Sequence, residues 1–314
     1  MTKGKGELDA WRVRRQAWRW FGGISMLSHL RIYEPHPGLL AFYDGRVEGH
    51  RFADAPNWVD DGALSLGIAS YALIAGTQAI VYDSHVSVPH AQRIREVLHQ
   101  RGVTDIRVVL SHWHLDHVAG TEAFAGCPVI ANARTLAHLR GRQTAIEAGT
   151  NHGLPAINPL ILPDVVFEGQ MTLDLGGMRI ELIEANIHSD DATVLWLPER
   201  GILLAGDTVE DCVTYVGAPE DFDIHLADLA RLQALGARWV LPNHGAAEVI
   251  AAGGYGPDLL AATADYIRHL QADDPRPMAE IIAPWLENGA LRYFAPYEDV
   301  HAQNRARVQA LAAN

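Results

Sequence analysis

His112-Trp113-His114-Leu115-Asp116-His117 places three imidazoles and one carboxylate within six residues of a 314-residue chain. Such a cluster makes a poor hydrophobic core and a good cation site. With 16 histidines in the chain, a chance His-x-His-x-Asp-His is expected in roughly a few per thousand such sequences. The preceding run, Ile106 to Leu110, is apolar and β-branched and reads as a buried strand. The following run, Val118 to Phe124, has helical character. The cluster therefore stands where a strand gives way to a helix, a usual place for a site in an α/β fold.

Within the cluster, His112 and His114 are two apart, so in extended chain both rings point to one side. Asp116 and His117 are adjacent and diverge, which suits them to a second ion or a second face. A transition-metal site needs three or four ligands. Further candidates lie downstream: His188 after Arg179–Ile183, Asp207 after Ile202–Gly206, and His244 after Trp239–Asn243. Each follows a β-rich stretch, so all are expected to converge at one edge of stacked sheets. A lone histidine such as His188 is ordinarily a surface or satisfied core residue; its place in this ordered set reverses that reading.

In these residues the chain resembles the metallo-β-lactamase-fold hydrolases, whose five sequence motifs it carries in order over roughly residues 30 to 250. Asp83 in Ile80-Val81-Tyr82-Asp83-Ser84 matches the first and His112–His117 the second. His188, Asp207 and His244 match the third, fourth and fifth. The resemblance implies an αββα four-layer sandwich. It implies that His112, His114 and His188 hold one metal, that Asp116, His117 and His244 hold another, and that Asp207 bridges them. Asp83 would orient ligands from behind. Ligands of nitrogen and oxygen alone suit zinc, with iron or manganese as alternatives. Two ions roughly 3.5–4 Å apart would clamp a hydroxide near neutrality, with Asp116 passing the proton to the leaving group.

Departures from relatives narrow the chemistry. True metallo-β-lactamases of the main class place a cysteine where Asp207 stands; here Cys212 comes five residues later. They commonly add a lysine for the drug's carboxylate, whereas this chain has Thr208-Val209-Glu210-Asp211, an acidic stretch that would repel one. Flavodiiron relatives usually have Glu in place of the second histidine and carry a flavodoxin domain, for which this chain is too short.

The expected function is therefore a zinc-dependent hydrolase whose metal-bridging hydroxide attacks a small ester, lactone or thioester, as in the glyoxalase and lactonase branches. The alternatives are a phosphodiesterase or phosphotriesterase, a β-lactamase-like activity, and a persulfide dioxygenase using a single iron.

Lys plus Arg number 25 against 38 for Asp plus Glu, a net charge of −13. Nucleic-acid binding rests on phosphate neutralisation, so a small-molecule substrate is expected and a nucleic acid is not. Two cysteines, Cys127 and Cys212, are too few for a disulfide framework. No apolar run approaches the roughly 18 residues of a membrane span. Arg14-Arg15 is not followed by a clean apolar segment or a cleavage site, and cytoplasm is the expected compartment.

Three regions follow from the punctuation: an arm over residues 1–29, the metal-binding domain over 30–256, and a helical extension over 257–314. The arm interleaves Trp11, Trp18, Trp20 and Phe21 with four arginines. It reads first as an arm packing its tryptophans on the body, with a membrane surface or a subunit contact, hence a possible homodimer, as the alternative. Tyr71–Ile74 and Ala79–Tyr82 around Gly76 predict a hairpin. The Gly-, Asn- and Pro-rich part of residues 134–170 is expected near the site mouth. His85 is weighed for that mouth but reads first as a plain loop histidine. Asp191 is weighed as a support for the His188 loop, against a plain turn residue. In the extension, Leu259 to Gln271, Met278 to Glu287 and Asp299 to Ala313 are expected helices; covering the site, supporting a dimer and packing outside all remain open.

Overall fold

The structure, a computed structural model, describes residues 26–313; the Trp/Arg-rich stretch of the amino-terminal arm lies outside the described residues. The first sheet has seven strands in chain order: β1 (Arg31–His36), β2 (Leu39–Asp44), β3 (Ile68–Ala75), β4 (Gln78–Tyr82), β5 (Asp105–Val109), β6 (Val129–Asn132) and β7 (Val165–Phe167). Its first four strands run antiparallel and β4 to β7 run parallel. The expected hairpin is β3–β4, with Ile74 opposite Ala79. The second sheet contains β8 (Gln170–Leu175), β9 (Met178–Ile187), β10 (Ser189–Leu197), β11 (Ile202–Gly206) and β12 (Trp239–Pro242), with only β11–β12 parallel.

Side-chain alternation in the first sheet divides the core. Leu39, Ala41, Tyr43, Tyr71, Leu73 and Tyr82 face the second sheet. Leu40, Phe42, Ala72, Val81 and Val108 face outward, where α1 (Val88–Gln100), α2 (Leu115–Val118) and α3 (Ala133–Glu147) bury Ile94, Leu98, Leu115, Leu139 and Ile146 against them. Both faces are covered, so both alternating sets are apolar. Helix α1 starts where Ser87 accepts from the His90 amide and a proline occupies the first turn. Asn132 caps α3 in the same way.

On the far side, α4 (Phe222–Gln233) packs on β9, α5 (Ala247–Ala251) touches β1 and β2, and α6 (Asp258–Gln271) packs on α4. Two helical layers enclosing two sheets give the four-layer sandwich. The carboxyl-terminal helices are α7 (Met278–Ile281), α8 (Ala283–Glu287) and α9 (Tyr297–Ala312). Leu259, Ile267, Met278, Ile281, Tyr297 and Val300 belong to the same apolar cluster as the inter-sheet residues. Among the described residues no helix is long and apolar enough to cross a membrane, and both cysteines are free.

Three buried tyrosines cross-brace the sheets. The Tyr43 hydroxyl donates to the Gly245 carbonyl at 2.8 Å, Tyr71 to Pro242 at 2.5 Å and Tyr82 to Thr193 at 2.5 Å. Burial pushes the Tyr43 hydroxyl up to about 12 and those of Tyr71 and Tyr82 well above their ordinary value, so all three stay donors at physiological pH.

Candidate metal centre

Strand ends deliver the polar residues to one edge. Asp83 follows β4, Ser111 and His112 follow β5, and His188 joins β9 to β10. Asp207 follows β11, and Asn243-His244 follows β12. His114 caps α2, whose first turn carries Asp116 and His117. The turn into Asp207 needs a glycine: Gly206 has φ +58, and a Cβ there would stand 2.8 Å from the Tyr82 hydroxyl. Asp83 and His188 both adopt φ +65, a left-handed backbone that costs a non-glycine residue about 1–3 kcal/mol and persists where the surroundings impose it.

All seven sequence-predicted ligands meet. His112 Nε2 and His188 Nε2 lie 2.9 and 3.0 Å from His114 Nδ1. Asp116 Oδ2 lies 3.2 Å from His244 Nε2 and 3.6 Å from His117 Nε2. Between these two groups stands Asp207, whose Oδ2 is 3.0 Å from His117 Nε2, 3.5 Å from His244 Nε2, and 3.6 Å from both His112 Nε2 and His188 Nε2. Its other oxygen, Oδ1, is buried without a hydrogen-bond partner. Asp116 and His117, adjacent in sequence, both reach the second group because the first turn of α2 turns them inward together.

The outward nitrogens of three of these rings are also engaged. His117 Nδ1 is 2.9 Å from Asp83 Oδ2, which also accepts from Asn243 Nδ2 at 2.6 Å, while Asp83 Oδ1 accepts from the Ser111 amide. His112 Nδ1 pairs with Ser111 Oγ at 2.9 Å and His244 Nδ1 with the Gly67 carbonyl at 2.8 Å. Ser111, Gly67 and Asn243 were not singled out in the sequence; only the adjacency of Asn243 to His244 hinted at one of them.

Burial and the neighbouring imidazoles hold His112 and His114 well below the ordinary histidine range. Burial opposes the cation of His117 and His244 too, but the carboxylates win. Asp207, Asp116 and Asp83 raise His117 well above its usual value, and Asp207 and Asp116 bring His244 to about 9. Burial likewise opposes ionisation of Asp116 and Asp207, and His117 and His244 outweigh it and keep both carboxyls low. The groups within ligand reach of one another include His112/His114/His188 and Asp116/His117/His244.

A cleft of about 570 Å³ opens over these residues. Trp58 and Ala63 line it beside the helical turn Val59–Leu64, His152 comes from the 134–170 segment, and Tyr215 packs beside His188. Pro296, Asp299, Val300 and Gln303 of the carboxyl-terminal segment form another wall. That segment therefore covers the site, one of the three roles left open for it. His85 does not line the cleft: it is fully buried and stacked on His90, 4.4 Å between ring centres. Asp191 is buried and accepts from Ser189 Oγ at 2.5 Å, tying the chain just beyond His188.

The family model described as the metallo-beta-lactamase superfamily matches residues 65–249. Among curated relatives, a hydroxyacylglutathione hydrolase of Rhodobacter capsulatus is 30% identical over 124 residues, covering 40% of this chain and 41% of that protein. An atrochrysone carboxyl ACP thioesterase of Aspergillus fumigatus is 25% identical over 183 residues, covering 57% and 51%. The chain spans about half the length of these relatives. Among solved structures, a metallo-beta-lactamase from Pontibacter korlensis superposes with a TM-score of 0.58 at 19% identity over 76% of this chain and 99% of that one, a likeness of fold.

Proposed function

The chain belongs to the metallo-beta-lactamase superfamily, and from this we propose that it is a metal-dependent hydrolase of a small acyl thioester, ester or lactone, working with two zinc ions. His112, His114 and His188 would hold one ion, and Asp116, His117 and His244 the other. The observation that carries the reading is Asp207: one carboxylate oxygen amid four imidazole nitrogens and the other buried without a partner. A bridging carboxylate between two cations answers both facts. Bound zinc would supply Lewis acidity and a water nucleophile active near neutral pH.

The protein's own groups do the rest. Asp116, ionised and partly open to the cleft, is placed to take a proton and pass it to the leaving group. Asp83, which itself accepts from Asn243, holds His117 at its outer nitrogen, and the Gly67 carbonyl holds His244. Trp58, Leu66, Leu115, Val300 and Tyr215 give the acyl group an apolar surface and exclude water.

Thioester cleavage is favoured by the relatives, since an acylglutathione is a thioester and the second protein is named a thioesterase. Among the described residues the cleft is lined by Asp61 and Asp299 and by no lysine or arginine, which disfavours phosphoesters and the carboxylate of a β-lactam. The deciding experiment is metal analysis together with turnover of a panel of thioesters, lactones, β-lactams and phosphoesters. Two zincs per chain with thioester or ester turnover is expected. One iron per chain with oxygen consumption on a persulfide would overturn the reading.

A further inference from the structure

We propose that Glu210 is a positioning residue for His188 and that the carboxyl-terminal helix α9 fixes it there through Tyr297; the inference rests on the metal reading above. Glu210 lies three residues beyond Asp207 and is only 2% exposed. A carboxylate so placed is costly unless hydrogen bonds and a charge partner compensate. Its Oε2 accepts from the Tyr297 hydroxyl at 3.0 Å, and its Oε1 from the Tyr215 amide at 3.1 Å and Thr214 Oγ1 at 3.3 Å. Oε1 also faces His188 Nδ1 at 3.4 Å. That nitrogen is buried and has no hydrogen bond of its own.

The two edges of the His188 ring thus face different partners. Nε2 points at His114 Nδ1 and Asp207. A cation held at Nε2 would leave the ring proton on Nδ1, the nitrogen nearest Glu210, and a small shift of either group would form the bond that fixes a ligating imidazole and raises its basicity. His117, His112 and His244 each have such a partner in Asp83, Ser111 and Gly67; Glu210 stands in that place for His188. The loop that presents it is bound to α9 a second time. Asn304 accepts from the Val216 amide at 2.8 Å and donates to the Thr214 carbonyl at 2.9 Å. The extension is therefore part of the metal-binding apparatus as well as a wall of the cleft.

The test is zinc affinity of the metal-free full chain, by chelator competition, for wild type, Glu210→Gln, Tyr297→Phe, His188→Ala and the Glu210→Gln/His188→Ala double variant. Glu210→Gln is expected to weaken zinc binding about 10–100-fold with the melting temperature of the metal-free protein little changed, and Tyr297→Phe to weaken it less, with some loss of stability because a buried carboxylate oxygen loses its donor. In the His188→Ala background, Glu210→Gln is expected to add no further loss. Wild-type zinc affinity in Glu210→Gln overturns the inference, as does an undiminished Glu210 effect without His188, which would make the carboxylate an independent ligand. A wild-type chain that takes up no zinc instead overturns the metal reading beneath it.

Discussion

At the scale of single residues, environment divides the histidines into two kinds. His112, His117, His188 and His244 lie within 3.6 Å of a carboxylate oxygen; His85 is buried and stacked on the ring of His90. Burial, then the neighbouring His90, holds His85 well below the ordinary value, against weaker upward pulls from the Phe42 carbonyl and Asp116. The folded protein therefore keeps it neutral where the unfolded chain takes a proton, near pH 6.5. From there downward the unfolded state binds the extra proton, and folding stability falls by up to about 1.4 kcal/mol per pH unit from this group; above that pH the group contributes no slope. His85→Asn, which tolerates the left-handed backbone at φ +67, is expected to flatten the stability of the metal-free protein between pH 7 and 5 in urea unfolding. An unchanged slope would show that His85 titrates normally. Asp116→Ala should lower turnover by about 10²–10⁴-fold while metal remains at His112, His114 and His188; near wild-type turnover would remove its proton-transfer role. The candidate ligands, Asp116 among them, were legible because a six-residue run and three strand-end residues carry chemistry locally; the buried stack of His85 on His90 was not. Glu210 was not: in sequence it is one acid in an acidic stretch, and its partners lie up to 87 residues away.

At the scale of elements, strands end where the candidate ligands begin, and three tyrosines bond from one sheet to the other behind them. Tyr71 anchors the last residue of β12, two positions before His244. Tyr71→Phe leaves a buried carbonyl unpaired and should cost about 1–3 kcal/mol in denaturant unfolding, with weaker retention of the second metal. A loss below about 0.5 kcal/mol would mean that water or a neighbour replaces the hydroxyl. The alternation of β2 to β4, the β3–β4 hairpin and the outer helices could be read from periodicity. The tyrosine hydrogen bonds could not, because in sequence Tyr43, Tyr71 and Tyr82 are simply apolar-compatible strand residues, and each bond spans more than 100 positions. Within the extension, the expected helix Met278–Glu287 divides into α7 and α8 at Ile282, just before Pro284. A proline has no amide hydrogen to continue the ladder.

At the scale of the whole molecule, the extension that begins near Pro257 shares its apolar residues with the inter-sheet core. A chain ending at residue 256 would uncover those surfaces, at roughly 1.5–3 kcal/mol for each large side chain re-exposed. It is expected to aggregate or lose its near-ultraviolet circular dichroism; a truncated protein with native stability would make the extension a separate domain. The α9 helix has two working faces. Tyr297 and Asn304 face the loop that carries Glu210, whereas Asp299, Val300 and Gln303 face the cleft. The candidate ligands come from strand ends and from the first turn of α2, and one wall of the cleft from a single turn of α9. The seven candidate ligands and these three wall positions are thus carried on different stretches of the gene. A directed-evolution library randomised at positions 299, 300 and 303 alone would reshape that wall in a background in which every candidate metal ligand is left untouched.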